Sequence, residues 1–282
     1  MFDFYLGSSE EIRRDEHKFL ISVKRMMPRW VNSIADSELL ALAAILDEQG
    51  KFAKEHNQRF VTVETGAGAS SLAFAYYAMK YDGIAYSWDL NGEKGSLIRT
   101  ICTETLGNYF RKLVDNHWKL LAFFSTSEHL GIPVLKDLNP AVHMFFHDSE
   151  HTWQTIEKEI QLVTPFLVDG AVVALDDANL ECLHTNVGYI NTMRKKHGLE
   201  AIRPIEGNQT EPFYVKAEAL LRTQWETVDH IPDLYKQNYK DDAYFTYYNS
   251  EFKINSGFGT VNADNMEHRF DSWRVFKKKT RS

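Results

Sequence analysis

The chain reads FVTVETGAGASS over residues 60–71, a β-branched run followed by a glycine-rich turn and the start of an apolar helix. Gly66 permits the tight turn, and Gly68 lets the backbone approach a ligand because glycine carries no Cβ atom. The N–H groups at the start of the following helix then point at that ligand. The stretch predicts a strand, a turn and a helix around a bound group, although the turn alone also fits close packing of a helix on a strand.

Apolar strands and helices alternate outward from this turn. Strands are predicted at 59–64, 84–89, 119–124, 141–147, 171–175, 200–205 and 213–217, and helices at 70–80, 94–107, 150–163 and 188–197. Helices of this length between strands imply a mostly parallel sheet of seven strands with both faces covered. In such an α/β fold, ligands bind beyond the carboxyl ends of the strands.

Two further segments flank this core. Residues 10–27 and 36–49 are predicted to be helices, separated by Pro28 and ended by Gly50. Residues 225–276 are rich in aromatic side chains. The chain is therefore divided into an N-terminal helical cap (1–50), a core (51–217) and a C-terminal extension (218–282). The extension is expected to be a lid, a substrate wall or an oligomer contact, so a homo-oligomer is one expectation.

Composition excludes several classes of function. The net charge is −7, and the only concentrated basic run is short, at 277–281. No nucleic-acid partner is therefore expected. No apolar run approaches the ~20 residues that span a bilayer, and the amino terminus carries charges where a secretory signal needs an apolar core. With only two cysteines, the expected location is the cytoplasm, with no membrane partner.

Two acids accompany the glycine turn. Asp89 ends the second predicted strand, where its carboxylate can accept hydrogen bonds from both hydroxyls of a ribose. Glu64 directly precedes the turn, where it can meet the ammonium of a methionine moiety but would repel a pyrophosphate. Ser71 stands where a dinucleotide-binding fingerprint has its third glycine. The pattern favours a nucleoside cofactor that carries an amino acid.

Two more predicted strands end abruptly in acids. Asp148 follows the run 141–147, and Asp176 with Asp177 follows the run 171–175. If these strands are neighbours, the three carboxylates converge, and at neutral pH they need a cation or a proton to coexist. A cluster of carboxylate oxygens suits Mg²⁺ best, with other divalent cations as alternatives.

The first of these motifs resembles class I S-adenosylmethionine-dependent methyltransferases, which have a Rossmann-like fold. The resemblance rests on Glu64-x-Gly66-x-Gly68 followed by Asp89. It implies that the turn wraps the methionine part of S-adenosylmethionine and that Asp89 holds the ribose. The family's third motif carries an acid where this chain has Thr126, so the adenine contact is expected from Thr126 and Ser127. The implied cofactor-binding residues are Glu64, Thr65, Gly66, Ala67, Gly68, Ser70, Asp89, Thr126, Ser127 and Asp148.

The acid motifs resemble the metal-dependent O-methyltransferases of this class, including the catechol type and the macrolide-sugar type called methyltransferase family 24. The resemblance rests on Asp148-x-x-His151 and Asp176-Asp177. It implies that Asp148, Asp176 and Asp177 bind Mg²⁺ or another divalent cation, and that His151 is the base, with Asp148 part of the catalytic pair. The expected acceptor is a hydroxyl of a small molecule, a sugar or phenolic vicinal diol whose second hydroxyl also binds the metal.

Two other functions remain open at this point. An NAD(P)-dependent oxidoreductase would share the fold and Asp89, but Ser71 and Glu64 count against it and the acid cluster would have no function. A non-catalytic Rossmann-like binding module would keep the fold and bind a sugar or a protein.

Overall fold

The computed structural model describes residues 15–28, 31–32, 34, 36–106, 115–178, 187–202, 212–228 and 273–280. The helices are α1 (Glu16–Arg25), α2 (Asp36–Glu55), α3 (Ser70–Lys80), α4 (Gly92–Leu106), α5 (Leu135–Leu138), α6 (Trp153–Val163), α7 (Val187–Lys196) and α8 (Phe213–Leu221). The strands are β1 (Val61–Thr65), β2 (Ile84–Trp88), β3 (Trp118–Leu121), β4 (Val142–His147), β5 (Leu167–Leu175), β6 (Trp225–Thr227) and β7 (Arg274–Lys278). Short 3₁₀ turns precede α5 and β5, at Ile132–Val134 and Thr164–Phe166.

The strands form one sheet in the order β3-β2-β1-β4-β5-β7-β6. Strands β1 to β5 pair in parallel, and β7 lies antiparallel between β5 and β6. Thr65 is level with Trp88 on one side and with His147 on the other, and His147 is level with Leu175. The residues that follow β1, β2, β4 and β5 therefore emerge at one edge of the sheet.

Both faces of the sheet are covered, because neighbouring side chains on each strand point to opposite faces. Phe146 belongs to an apolar cluster with α1, α2 and α3, whereas Phe145 belongs to a second cluster with α6 and α8. The predicted α/β fold, a Rossmann-like and mostly parallel seven-stranded sheet, is confirmed. None of the helices in the described ranges is long and apolar enough to cross a bilayer.

The last two strands of the sheet are not the predicted ones. The strand predicted at 213–217 is wrong, because this segment begins α8. Phe213, Ala217 and Leu221 are buried at every fourth position, which is helical spacing, and a five-residue apolar window is too short to separate the two periods. Residues 200–202 of the strand predicted at 200–205 contain no strand, and 203–205 lie outside the described residues.

The helical stop predicted at Gly50 is also wrong, since α2 continues to Glu55. A Cβ atom on Gly50 would lie 2.1 Å from the ring of Tyr81. Close packing of α2 on the end of α3 explains this glycine. Residues 10–14 of the first predicted helix lie outside the described residues.

Segments on both sides of the proposed domain boundaries share one core. Helices α1 and α2 pack in the same cluster as Trp273 and Val275, and Phe276 belongs to the second cluster. The boundaries at residues 50 and 217 stay a prediction, as does the role of the extension, because 229–272 lie outside the described residues.

Candidate functional site

A cavity of about 390 Å³ opens at the carboxyl edge of the sheet. Three of the predicted cofactor residues line it, namely Gly66, Asp89 and Asp148. They follow β1, β2 and β4, which are adjacent strands with level ends. The register of the parallel sheet therefore brings together three residues that are far apart in the sequence.

The glycine turn is locked against the loop after β4. Gly66 has a φ of +88°, a left-handed conformation that glycine adopts without strain, and its N–H donates to the carbonyl of Trp88 at 2.8 Å. The N–H of Asp148 donates to the carbonyl of Thr65, also at 2.8 Å. The turn is thus held by backbone hydrogen bonds on both sides.

Asp89 lies in the cavity with its carboxylate already oriented. Its Oδ2 accepts the N–H of Ala67 and the ammonium of Lys94, each at 3.0 Å. Its Oδ1 accepts the N–H of Asn91 at 2.7 Å. The glycine turn and the ribose-binding candidate are therefore directly connected. Lys94 also lines the cavity but was not identified as a site residue from the sequence. Its position near the start of α4, five residues after Asp89, was the signal that could have identified it.

Glu64 is buried and faces away from the cavity. Its carboxylate accepts hydrogen bonds from the hydroxyls of Ser70, Ser71 at 2.6 Å and Ser87 at 2.5 Å. Burial raises the pKa of Glu64 to about 7, although the three serine hydrogen bonds act to lower it. The structure therefore places Glu64 and Ser70 behind the turn, where they support it, and does not bring them to the cavity.

Ala67 and Gly68 take part in the turn through their backbone N–H groups, and Thr65 through its side chain. Ala67 donates its N–H to Asp89, and Gly68 donates to the hydroxyl of Ser71 at 3.2 Å. The side chain of Thr65 is buried and donates to Glu159 at 2.9 Å.

The loop after β3 presents a different residue than expected. Phe123, Phe124 and Ser125 line the cavity, whereas Thr126 lines a second cavity of about 450 Å³ and Ser127 lines neither. The N–H of Ser127 donates to the carbonyl of Phe124 at 3.0 Å, so the chain turns away at this point. Two adjacent aromatic residues at the end of the strand predicted at 119–124 were the sequence signal for an apolar wall that fits a planar base.

Two of the three predicted metal ligands, Asp148 and Asp176, are in contact, and Asp177 lies near them. The N–H of Asp176 donates to the carbonyl of His147 at 2.9 Å, and the carboxyl groups of Asp148 and Asp176 are hydrogen-bonded to each other. Burial and the nearby charge of Asp177 raise the pKa of both carboxyls. Within the described part of the chain, however, no three His, Cys, Asp or Glu side chains form a group that could hold a metal ion.

His151 lies beside this acid pair. Its Nε2 is 3.6 Å from Oδ1 of Asp148 and 3.7 Å from Oδ2 of Asp177, which is beyond hydrogen-bonding distance. Its ring packs edge-on against His147, with centroids 5.6 Å apart. The imidazole is therefore adjacent to the predicted acids and outside the lining of the cavity.

A helix that the sequence did not connect with the site closes one side of the cavity. Ile190 and Met193 of α7 line it. Arg194 donates to both carboxylate oxygens of Glu150, at 2.9 and 3.1 Å. Since Glu150 also lines the cavity, this ion pair fastens α7 to the loop after β4. Its partners are 44 residues apart, so no local pattern identified them.

The part of the chain that contains this site matches a family of known proteins. A family model described as "Methyltransferase domain" matches residues 63–178, a segment that contains the glycine turn, Asp89 and all three predicted metal ligands. The prediction of an S-adenosylmethionine-dependent methyltransferase is confirmed. No curated protein matches the chain.

Several solved structures are similar in fold. CalS11, a TDP-rhamnose 3'-O-methyltransferase of calicheamicin biosynthesis, is 17% identical over 72% of this chain and 92% of its own, with a TM-score of 0.40. The O-methyltransferase TomG from Streptomyces achromogenes is 14% identical over 65% and 71%, with a TM-score of 0.41. The O-methyltransferase NovP is 13% identical over 57% and 72%, with a TM-score of 0.37.

Proposed function

We propose that this methyltransferase transfers the methyl group of S-adenosylmethionine to a hydroxyl of a small molecule. One observation carries the proposal: Asp148 belongs both to the cofactor-sized cavity and to the cluster of three acids. A methyl donor in the cavity would therefore lie beside groups that can bind and activate an oxygen.

The cavity offers a suitable partner for each part of the cofactor. The ribose would bind Asp89, the methionine part would follow the turn at Gly66, and the adenine would pack on Phe123 and Phe124. Lys94 would then lie next to the ribose, because it already contacts Asp89.

The reaction needs an acceptor oxygen aligned behind the methyl carbon. As the new O–C bond forms, the C–S bond breaks, its electron pair stays on sulfur, and the acceptor loses its hydroxyl proton. Positioning supplies much of the acceleration in such a transfer. We assign the proton to His151, whose imidazole lies beside Asp148 and Asp177, because a neutral imidazole can accept a proton as a general base.

We propose that Mg²⁺ or another divalent cation binds Asp148, Asp176 and Asp177. The chemistry of these ligands supports it, because carboxylate oxygens suit a hard cation. The three side chains of the described chain do not form a complete metal-binding group as they stand, so the cation would have to draw them together. Two of them share a hydrogen bond and have raised pKa values, so a cation would take the place of the shared proton. When bound, the cation would lower the pKa of the acceptor hydroxyl.

A vicinal diol on a sugar or a phenolic ring is the proposed acceptor class. A neutral alcohol is a weak nucleophile, and a second hydroxyl beside the first would let the acceptor chelate the cation. Two donors also fix the direction of the reacting oxygen, which favours alignment with the methyl group.

The test combines binding and turnover. Calorimetry with S-adenosylmethionine and with NADH distinguishes a methyltransferase from an oxidoreductase, and we expect binding of the first alone. Methyl transfer to a panel of sugar and phenolic diols is then measured with and without EDTA. We expect EDTA, Asp176→Ala and His151→Ala each to abolish turnover while the affinity for S-adenosylmethionine changes less than about threefold.

A matched control and two contrary outcomes complete the design. Asp169→Ala removes a half-buried carboxylate of strand β5, 3.6 Å from Nζ of Lys278, and should leave turnover unchanged. Full activity in EDTA would remove the metal from the proposal and leave methyl transfer standing. Cofactor binding without transfer to any diol in the panel would favour a binding module instead.

A further inference from the structure

A single buried carboxylate accepts hydrogen bonds from residues at the strand ends beside the cavity. Glu159 lies in α6 and is fully buried. Its Oε2 accepts from the hydroxyl of Thr65 at 2.9 Å and from Nδ1 of His147 at 2.6 Å. Its Oε1 accepts from the hydroxyls of Ser125 and of Ser149, the latter at 3.0 Å. Both oxygens of Glu159 therefore bridge side chains from different parts of the chain.

The four donors lie next to both parts of the site, the cofactor turn after β1 and the acid-bearing loop after β4. Thr65 immediately precedes Gly66, and His147 immediately precedes Asp148. Ser125 and Ser149 line the cavity themselves. The donors thus come from the carboxyl ends of β1 and β4 and from the loop after β3, whereas Glu159 belongs to a helix on one face of the sheet. Glu159 itself is absent from the cavity lining.

The carboxylate is a strong and fixed acceptor. Burial alone would raise its pKa, but the charge and hydrogen bond of His147, with the hydroxyls of Ser125 and Thr65, hold the pKa of Glu159 below its usual value. Hydrogen bonds to an ionised acceptor are about twice as strong as neutral ones, and a buried charge without partners is costly. The donors are therefore held together more firmly than by separate neutral contacts.

We propose that Glu159 is a positioning residue that sets the distance between the cofactor turn after β1 and the acid-bearing loop after β4. The inference rests on the proposed function, because the distance matters only if a methyl group passes from one side to the other. Methyl transfer is sensitive to this distance, since displacements of about 1 Å can cost roughly a hundredfold in rate. Glu159 acts through Thr65, Ser149 and their neighbours and does not touch the reacting atoms.

The first experiment uses Glu159→Gln and the binding of S-adenosylhomocysteine, which needs no acceptor. Glutamine keeps the size, but its amide nitrogen cannot accept a hydrogen bond, so at least one donor loses its partner. We expect about tenfold weaker binding, because the cofactor turn and the loop after β3 would no longer be held in their binding positions. The matched control is Glu157→Gln, two positions away on α6 and only partly buried, which should bind like the wild type.

The second experiment separates positioning from mere support of the fold. Thr65→Val removes the donor next to the cofactor turn at Gly66, and Ser149→Ala removes the donor next to Asp148 on the acid-bearing loop. We expect Thr65→Val to act mainly on KM for S-adenosylmethionine and Ser149→Ala to act mainly on kcat, each by about tenfold. These two variants also serve if Glu159→Gln does not fold.

The outcomes distinguish this inference from the proposed function. If the wild type binds neither S-adenosylmethionine nor S-adenosylhomocysteine, the proposed function fails. If the wild type binds but folded Glu159→Gln binds equally well, with lower thermal stability alone, Glu159 is structural and the inference is overturned. The inference is also overturned if Thr65→Val and Ser149→Ala change KM and kcat in the same proportion.

Discussion

A Cβ atom on Gly66 would lie 1.6 Å from the carbonyl oxygen of Asp148. The cofactor turn and the first residue of the acid-bearing loop are therefore in direct backbone contact. The hydrogen bond from the N–H of Asp148 to the carbonyl of Thr65 closes the same contact. The cofactor turn and the acid-bearing loop are therefore packed directly against each other at the cavity.

Gly66→Ala should abolish cofactor binding. Alanine at a φ of +88° is strained, and its methyl group would overlap the backbone of Asp148. Gly198→Ala is the control, because Gly198 has a similar φ of +72° but no atom within 4 Å of the added methyl. We expect the control to lose roughly 1 kcal/mol of unfolding free energy and to bind S-adenosylhomocysteine normally in calorimetry. Normal binding by Gly66→Ala would contradict the proposed role of the turn.

Asp89→Asn should weaken cofactor binding by roughly ten- to a hundredfold, corresponding to about 1–3 kcal/mol. Asparagine keeps one acceptor oxygen for the two N–H groups and the ammonium that the carboxylate now binds, and it would bind ribose hydroxyls less strongly. Asp115→Asn, an exposed acid paired with Arg99 at 3.5 Å, should leave the affinity unchanged. Calorimetric titration with S-adenosylhomocysteine measures both, and equal affinities would place the ribose elsewhere.

Glu64→Gln should change how stability depends on pH. The pKa of Glu64 is about 7 in the folded chain against an ordinary 4.5. A raised carboxyl pKa contributes stability that is complete below pH 4.5 and is lost as the pH rises through 7. The variant lacks this titration, so its unfolding free energy relative to the wild type should rise by roughly 3 kcal/mol between these values. Urea unfolding of both proteins at pH 5 and pH 8 measures this difference, and a constant difference would contradict the prediction.

Arg194→Met should loosen α7. The guanidinium of Arg194 binds both oxygens of Glu150 and, through Nε, the carbonyl of Glu200 at 2.6 Å. Its loss should speed amide hydrogen exchange in residues 187–196 and weaken cofactor binding, since Ile190 and Met193 line the cavity. Lys195→Met, an exposed position on the same helix, is the control. Unchanged exchange in α7 would show that packing alone holds this helix.

The local pattern of the sequence predicted much of the fold. Helix α3 has the predicted bounds, and strands β1 to β5 overlap their predicted ranges. These elements depend on the alternation of apolar residues along a short stretch, which a sequence displays directly. The positions of Gly66, Asp89, Asp148 and Asp176 followed from the same rule, because consecutive parallel strands end at one edge of a sheet.

The local sequence did not determine the secondary structure of the short apolar segments. Residues 213–217 pack as the start of α8, and the last places in the sheet are taken by Trp225–Thr227 and Arg274–Lys278. An edge position is filled by whichever segment the rest of the core leaves room for. That choice depends on the assembled sheet.

By itself, the sequence determined the parallel core, the glycine turn and the convergence of three acids after their strands. The tertiary structure alone decided which carboxylates face the cavity, because Glu64 turns to three serines behind the turn while Glu159, 94 residues from Thr65, joins the strand ends. The physical reason is that backbone periodicity is a property of neighbours along the chain. A buried carboxylate instead takes the donors that distant segments bring to it.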